Sequence, residues 1–408
     1  MNKISLDGVL LFALVIPFIM TYRISPSDTP YWLFGLIFLG LLSYIFLDLI
    51  KISEIITFRF KQIILWLLIF GVIGGAIFSA IVVRHKTHPI YMIHDIIIQQ
   101  ESAIRFLVHG RNPYSTTYFD TPLAKWHYSD KTVNPALYHF VMEPFYLLFA
   151  IPFYLLSSRL FGFFDGRMPL FFLFFTILFL AGKLVKDKSK KLLFIILFAF
   201  NPAMLGYTLE GRSDIFMFSF LFLGFYFLYI KKYFLAGFPI ALAFAVKQSA
   251  WPLLPFYLAF IYFKNKSIRK TLRDLFSFII TFTVVTTPFF LWDPKAFLDS
   301  TLFYLSGNSS HGYPISGYGL GMILIQMGII KDINQYYPFQ VWQAIAGIPL
   351  AIILIRNLKQ NLHVGRLILV YGIFLFVFWY LSRYLNNSHL GYLSTVFIVA
   401  YFWPKLHE

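Results

Sequence analysis

Long apolar runs recur along almost the whole of this 408-residue chain, and one hydrophilic segment, residues 84–143, interrupts them after the third run. Hydrophobic residues make up 59% of the chain and charged residues 13%, the latter about half the share in a typical soluble domain. This is too little charge to cover a water-facing surface, so lipid must solvate much of the chain. Each run is long enough, or nearly so, to cross the roughly 30 Å hydrocarbon core as a helix. The runs lie at 7–22, 31–50, 62–83, 168–182, 192–209, 214–230, 233–246, 249–263, 274–292, 338–355, 367–382 and 390–403.

The basic residues predict how these runs are threaded. They cluster in short connections that all fall on one side if two weaker apolar runs, 144–157 and 318–330, do not cross. Lys and Arg accumulate on the cytoplasmic side of membrane proteins. We therefore predict an all-α, polytopic transmembrane helical bundle of about twelve spans, with both termini cytoplasmic and two re-entrant or interfacial segments on the outer face. The chain forms one integral membrane domain over 1–408, in which 84–143 is a large non-cytoplasmic loop.

The same pattern accounts for the net charge of +16. Basic residues lie in loops that flank membrane spans, so their excess indicates orientation in a bilayer and not nucleic-acid binding. The chain has no Cys, which excludes disulfides and thiolate-held metal. We expect the chain in the cytoplasmic membrane of a prokaryote, in contact with membrane lipid.

The hydrophilic segment opens with His94 and Asp95, and its pattern predicts a helix over 95–109. In such a helix Asp95, Gln99 and Ser102 share one face, and Gly110 follows the helix as a terminator. Two interpretations of Asp95 are open. It caps the helix, where the dipole favours a carboxylate, or it performs chemistry.

Other polar residues of this segment are weaker candidates. Glu101 and Arg105 lie four residues apart in the favourable order for an ion pair, so pairing is the simpler interpretation of Glu101 and substrate binding the alternative. Three residues of the following GRNPY turn are also candidate substrate contacts: Arg111, Asn112 and Tyr114.

Two further clusters fall on the same predicted face. In one short loop, Arg212 either pairs with Glu210 or Asp214 to hold the hairpin or binds a phosphate or hydroxyl of a substrate, because charges at this depth are costly unless paired or functional. Lys247 ends an apolar run and is followed by Gln248. Its side chain either extends harmlessly to the lipid headgroups or binds an anionic ligand.

A fourth cluster, Arg383 with His389, lies in another short connection on that face, and His311 lies in the 293–317 loop. Solvated surface residues and substrate contacts are both open interpretations. The sequence contains no GxxxxGKS phosphate loop, no HExxH zinc motif and no GxSxG elbow, each of which has a known chemistry. The large loop also lacks a DxD pair, so no cofactor and no divalent metal is indicated.

These clusters together resemble the GT-C superfamily of integral-membrane glycosyltransferases, and its mannosyltransferase-like branches most of all. The resemblance covers roughly residues 91–256 and rests on four features. They are HD followed by a helix and GRNPY, the segment VNPALYHFVMEPFYLL, the loop LEGRSD, and KKYFLAGFPIALAFAVKQSAWPLLPF. The superfamily commonly has this loop after the first span, whereas two extra runs precede it here.

The resemblance implies a polyprenyl-phosphate sugar donor and a lipid or glycan acceptor. Asp95 would be the general base that deprotonates the acceptor hydroxyl, and the reaction would invert the anomeric carbon. Lys247 and Arg212 would hold the donor phosphate, with Arg383 and His389 as weaker candidates for the same task. Two other classes of function are open: a lipid or sugar transporter or flippase, and a non-catalytic membrane subunit that has kept the fold.

Overall fold

A computed structural model describes residues 4–21, 30–87, 90, 93–127 and 133–405 of the chain, so residues 1–3 and 406–408 at the termini lie outside the described part. The described residues are mostly helical. The helices are α1 Leu6–Thr21, α2 Tyr31–Phe46, α3 Glu54–Ile69, α4 Gly75–Thr87, α5 Asp95–Val108, α6 Phe145–Leu148, α7 Ile151–Phe161, α8 Arg167–Leu184, α9 Lys188–Ala199, α10 Leu205–Glu210, α11 Asp214–Tyr229, α12 Tyr233–Phe244, α13 Leu254–Asn265, α14 Ile268–Trp292, α15 Pro294–Leu298, α16 Tyr304–Ser306, α17 Leu320–Gln326, α18 Phe339–Gln360, α19 Val364–Tyr380 and α20 Asn387–Phe402.

Short segments of other geometry complete the architecture. Strands β1 (Ser316–Gly317) and β2 (Tyr384–Leu385) pair in parallel. The 3₁₀ turns are Pro122–Lys125, Pro135–Leu137 and Gln248–Leu253, and the π-helical segments are Phe70–Gly74 and Asp299–Phe303. The first π segment joins α3 to α4 in one continuous helix. The prediction of an all-α chain is therefore confirmed.

Helices form where the sequence has its apolar runs. Within the described residues, four helical stretches have both the length and the apolar composition to cross a membrane: Glu54–Thr87, Arg167–Leu184, Ile268–Trp292 and Phe339–Gln360. Several shorter apolar helices accompany them, among them Asp214–Tyr229 and Val364–Tyr380. These helices support a membrane protein, while the number of twelve spans stays a prediction. The weaker run 318–330 contains only the seven residues of α17 in helical form.

The long helix α14 shows why lipid must surround the bundle. Its residues Leu272, Phe276, Ile280 and Val284 follow one another at every fourth position and are all exposed. A helix exposes such a continuous apolar stripe only when its surroundings are themselves apolar. Ser267 begins this helix by accepting a hydrogen bond from the amide of Lys270, which satisfies one of the free amides of its first turn.

Close helix packing at the centre positions the candidate site. Gly224 of α11 lies against Ile240 of α12, and Gly237 of α12 lies against Ser277 of α14, with no room for a side chain at either glycine. Small residues let helix backbones approach closely, which is how membrane helices gain packing energy. Because α11 and α12 are antiparallel neighbours, the start of α11 and the end of α12 meet at the same level.

Much of the described part of the hydrophilic segment is buried in the protein. Helix α5 spans Asp95–Val108, and Gly110 after it has the left-handed φ of 73°, so the helix predicted over 95–109 is confirmed to within a residue. His94, not Asp95, is the N-cap: its ring accepts a hydrogen bond from the amide of Ile96. The interpretation of Asp95 as a cap is therefore wrong, and Asp95 is the first helical residue.

A buried ion network fixes α5 against α4 and α8. Arg84 lies 2.7 Å from Glu101 and 2.9 Å from Asp165, and Arg167 lies 2.9 Å from the same aspartate. The amide of Gly166 also donates to Glu101 at 2.9 Å. The expected pair of Glu101 with Arg105 is wrong, because α4 brings a buried arginine to this carboxylate and leaves Arg105 exposed.

This network predicts a large stability effect. Arg84→Met leaves the carboxylates of Glu101 and Asp165 buried with one cation fewer, and we expect it to lower the free energy of unfolding by about 3–5 kcal/mol. Arg105→Met, at an exposed position of the neighbouring helix, is the matched control and should change it little. Thermal unfolding of the purified protein in detergent measures both. Equal melting temperatures for the two variants would contradict a structural role of the network.

Candidate functional site

One cavity of about 590 Å³ lies where α5, α11, α18, α19 and α20 approach the irregular segments that follow α12 and α15. One part of its wall is polar and another is apolar. The polar side chains of the wall are His94, Asp95, Gln99, Arg212, Ser213, Asp214, Lys247, Gln248, Ser249, Thr301, Tyr304, Ser306, Tyr313, Gln340, Gln343, Ser382, Arg383, Tyr384, Asn386, Ser388 and His389. The structure thus brings together residues from across the predicted outer face, including Asp95, Arg212, Lys247 and His389.

Asp95 is 4% exposed, and two side chains orient its carboxylate. Its Oδ1 lies 2.7 Å from Nδ1 of His94, and its Oδ2 accepts a hydrogen bond from Nδ2 of Asn134 at 3.0 Å. His94 and Asp95 therefore lie together at the wall of the cavity, next to the helix start.

Asp214 and Lys247 form a close ion pair in the same wall. Lys247 Nζ lies 2.6 Å from Oδ1 of Asp214. Asp214 is the first residue of α11 and is 1% exposed, while Lys247 follows the end of α12, so the close packing of these two helices creates the pair. The ammonium group is directed into the protein, and the alternative in which Lys247 extends to the headgroups is wrong.

Arg212 reaches the cavity from the loop between α10 and α11. Its guanidinium donates to Oγ of Ser388 at 3.3 Å and lies over the ring of Tyr207. Its Nε is 3.6 Å from Glu210, a long contact to a carboxylate whose side chain is 45% exposed. The Nε atom is buried and makes no hydrogen bond with the described residues. Because Nε is itself out of contact with the cavity, a hydrogen bond to a ligand would have to come from the Nη groups of Arg212, which lines the wall.

Arg383 also lines the cavity, but the protein itself uses its guanidinium. The group donates to the carbonyls of Tyr313, Gln335 and Ile333. Three of its five N–H groups are thus committed, and burial lowers the pKa of Arg383. Its described contacts tie the segment 313–335 to the end of α19, which favours a structural role over the phosphate contact expected from the sequence.

His389 also lines the cavity and is likewise fixed by the protein. Its Nδ1 accepts a hydrogen bond from the amide of Asn386 at 3.1 Å, which makes it part of a capping box at the start of α20. The ring packs edge-on against Trp379, with ring centres 4.5 Å apart. Its remaining edge lies at the cavity wall, so a substrate contact stays a prediction.

Several residues named from the sequence lie elsewhere. Glu101 lines a separate cavity of about 240 Å³ together with Arg84 and Arg105. Arg111 stacks over the ring of Phe106, 4.6 Å from its centre. The position of Arg111 in the GRNPY turn could not predict this stacking, because the stacking depends on how the turn folds back on α5.

The other turn residues serve the structure of the loop. Oδ1 of Asn112 accepts a hydrogen bond from the amide of Tyr114 at 3.0 Å, and the hydroxyl of Tyr114 donates to the carbonyl of Met142 at 2.9 Å. Glu210, half exposed beside Arg212, is absent from the described cavity wall. His311 stacks on Tyr138 with ring centres 3.6 Å apart and is likewise absent from the described wall. Glu101, Arg111, Asn112, Tyr114 and Glu210 thus lie outside the described cavity wall, and the substrate contacts expected of them from the sequence stay predictions.

The structure adds cavity residues that the sequence did not single out as contacts. Tyr304 and Tyr313 line the wall, and burial first, with the negative charge of Asp95 adding to it, raises the pKa of both hydroxyls. Both therefore stay neutral hydrogen-bonding groups near Asp95. The side-chain amide of Gln99 donates hydrogen bonds to two backbone carbonyls, those of Ala136 and His139, each at 2.6 Å. The shared helical face of Asp95 and Gln99 was the sequence signal for this residue.

The apolar part of the wall is rich in aromatic side chains. Trp251, Pro252 and Pro255 come from the segment that begins α13, Phe339 from α18, and Phe374, Phe378 and Trp379 from α19. The cavity reaches the protein surface at Leu302 and Gln340, which are exposed. A ligand with both a polar and an apolar part would suit such a space. Among the described residues, no three His, Asp or Glu side chains converge on one point as metal ligands would.

The fold and the cavity define a helical membrane protein with a polar site at the ends of several helices. The family model for glycosyltransferase family 87 matches residues 140–402, which is more than half of the chain. The chain therefore belongs to this glycosyltransferase family. No curated protein and no solved structure matches it. Family membership supports a transferase and does not favour the transporter alternative.

The ion pair between Lys247 and Asp214 predicts a loss of stability that a second substitution should restore. Lys247→Met leaves Asp214 charged and buried, so we expect a loss of about 3 kcal/mol in the free energy of unfolding. The double variant with Asp214→Asn should recover most of this loss, because no buried charge remains. Thermal unfolding in detergent measures both variants, with Lys270→Met at an exposed position as the control. If the double variant is no more stable than Lys247→Met, the pair does not hold α11 to α12.

Proposed function

We propose that the protein is an inverting glycosyltransferase of the GT-C type, which moves a hexose, by resemblance mannose, from a polyprenyl-phosphate donor to a hydroxyl of a lipid or glycan acceptor. One observation carries the proposal. A single cavity holds an oriented carboxylate, Asp95, two cations, Arg212 and Lys247, and an aromatic apolar wall. These are the groups needed for a base, for a phosphate and for a lipid chain.

The proposed reaction uses Asp95 as the general base. The acceptor O–H gives its proton to the Asp95 carboxylate as the oxygen attacks the anomeric carbon of the donor. The new carbon–oxygen bond forms on the face opposite the old one, and the bond from the anomeric carbon to the phosphate oxygen breaks. That oxygen leaves with the electron pair, so the products are an inverted glycoside and a polyprenyl phosphate.

The environment of Asp95 suits this role. Asn134 holds one oxygen and His94 the other, so the carboxylate has a fixed direction when the acceptor arrives. A base that is already oriented loses less entropy in reaching the reactive geometry.

The cations of the cavity would stabilise the leaving phosphate. Of the described residues that line it, three are cationic and two carry carboxylates, which leaves an excess of positive charge for an anionic donor. Asp214 neutralises part of the charge of Lys247 at 2.6 Å, whereas the only described carboxylate beside Arg212 is the half-exposed Glu210 at 3.6 Å. Fixed donors in a water-poor site stabilise developing charge strongly, so Arg212 is the better placed of the two contacts.

The orientation in the membrane is part of the proposal. Loops that the charge pattern predicts on the outer face supply the polar wall of one cavity. Loops predicted on the cytoplasmic face also meet each other: Lys264 donates to the carbonyl of Leu362 at 2.9 Å, and Lys191 lies over the ring of Phe58. This segregation supports an active site on the non-cytoplasmic face of the cytoplasmic membrane of a prokaryote, with both termini inside.

Asp95 gives the first test of this proposal. Asp95→Asn keeps the size of the side chain and its hydrogen bonds in part but removes the base, so transfer should fall about 10²–10⁴-fold. The assay follows radiolabelled sugar from undecaprenyl- or dolichyl-phosphate hexose into membrane lipid and glycan. Asp120→Asn, at an exposed position of the same segment, is the matched control. Transfer at the wild-type rate by Asp95→Asn would remove Asp95 from this role and favour the non-catalytic alternative.

The apolar wall gives a second test. Phe378→Ala should raise KM for a donor with a long polyprenyl chain by on the order of tenfold, equal to about 1.4 kcal/mol, because it removes apolar contact with the lipid. The KM for a donor with a short, soluble chain should stay nearly unchanged. Phe376→Ala is the matched control, since Phe376 is exposed on the same helix and is absent from the described cavity wall. Equal changes for long and short donors would show that this wall does not bind the chain.

A further inference from the structure

Glu143 is a buried carboxyl group that the proposed reaction does not use. It is 1% exposed and lies just before α6. Its amide donates to the carbonyl of Val246 at 3.1 Å, so its backbone runs beside the residues that lead into Lys247 and Gln248. Its Oε1 accepts a hydrogen bond from Nε2 of Gln248 at 3.0 Å. Glu143 is therefore one residue removed from the cavity wall, behind Gln248.

No described cation lies within ion-pair distance of Glu143. Lys247, which follows the Val246 that the Glu143 amide contacts, is bound to Asp214 at 2.6 Å. The other titratable neighbour, Tyr114, gives its hydroxyl proton to the carbonyl of Met142. An isolated carboxylate in an apolar interior takes up a proton instead of staying charged. Burial accordingly raises the pKa of Glu143 to about 8.

Gln248 is held by three acceptors at one end of its amide. Nε2 lies 3.0 Å from Glu143, 3.1 Å from the carbonyl of Thr301 and 3.2 Å from that of Val141. An amide nitrogen has only two protons, so the three acceptors compete for them. Because all three surround Nε2, the carbonyl oxygen Oε1 points the other way, and it accepts no hydrogen bond from the described residues. Gln248 lines the cavity.

We propose that Glu143 is a positioning residue: in its neutral acid form it fixes the Gln248 amide so that Oε1 faces the cavity and accepts a hydrogen bond from a hydroxyl of the bound sugar. This inference rests on the proposed function. The neutral form matters because a carboxylate binds an amide proton roughly twice as strongly as a neutral oxygen. Ionised Glu143 would draw Nε2 away from Val141 and Thr301 and turn Oε1 from the sugar.

The first measurement is donor affinity in membranes, with radiolabelled undecaprenyl-phosphate hexose as the probe. Glu143→Ala should raise KM for the donor on the order of tenfold, the weight of one hydrogen bond, with kcat changed by no more than about twofold. Glu143→Gln, which is neutral and of the same shape, should restore most of the lost affinity. A KM for Glu143→Gln as high as that for Glu143→Ala would overturn the proposal.

The second measurement is the pH dependence of the same KM. In the wild type the donor KM should rise above pH about 8, because Glu143 ionises there. In Glu143→Gln this rise should be absent, since the amide does not titrate. A residue that only filled space would leave both profiles alike, so identical profiles would also overturn the proposal.

The third measurement, thermal unfolding against pH, does not depend on the sugar donor. In the folded chain the pKa of Glu143 is about 8, whereas the ordinary pKa of a glutamate is 4.5. As pH rises, the unfolded chain therefore loses this proton before the folded chain does. The stability that protonated Glu143 contributes is thus complete below pH 4.5 and is lost as pH rises towards 8. Glu143→Gln should therefore gain in melting temperature over the wild type across this range and then level off.

Glu54→Gln, at an exposed position of α3, is the control and should show no such gain. If the difference in melting temperature between Glu143→Gln and the wild type does not change with pH, Glu143 is not a neutral acid in the folded protein and the proposal is overturned. A wild type that transfers no sugar from the donor would instead overturn the proposed function, and the contact with the sugar along with it. The thermal series separates these two failures.

Discussion

The ion pair between Lys247 and Asp214 joins the end of α12 to the start of α11, and much of the site depends on it. Asp214 is almost fully buried, and a single carboxylate at that depth would be costly without a cation. The pair fixes where α11 begins, and Arg212 and Ser213 reach the cavity from the residues just before it. It also fixes the segment after α12, which carries Gln248 beside the hydrophilic loop.

The same requirement explains why similar residues have different roles. Arg84, Arg383 and Arg212 all lie at helix ends or in short loops, yet the first neutralises two buried carboxylates and the second binds three backbone carbonyls. The third makes one described hydrogen bond, to Ser388, and one long contact of 3.6 Å to Glu210. An arginine has five donors, and its role is set by how many of them the protein already uses. Sequence position does not contain that information.

The helical architecture could be predicted because it follows from local properties. Apolar runs of sufficient length must form helices in lipid, since no water is present to satisfy the backbone. Helix α5 could be predicted from its period and from Gly110. Asp95 could be singled out because it opens the hydrophilic segment, and Arg212, Lys247 and Gln248 because polar residues in short connections between apolar runs are unusual; all four line one cavity. The partners of Glu101 and Asp95 could not be found, because they come from residues distant in the sequence.

By itself the sequence determined that this protein is helical and that its apolar helices suit a membrane, and it predicted a set of polar groups at one face. Composition and period act along the chain, so they are visible without coordinates. Only the tertiary structure decided which polar groups face a common cavity and which are consumed by the protein. Burial and pairing depend on helix contacts between residues far apart in the chain, as the Glu143 carboxyl behind Gln248 shows.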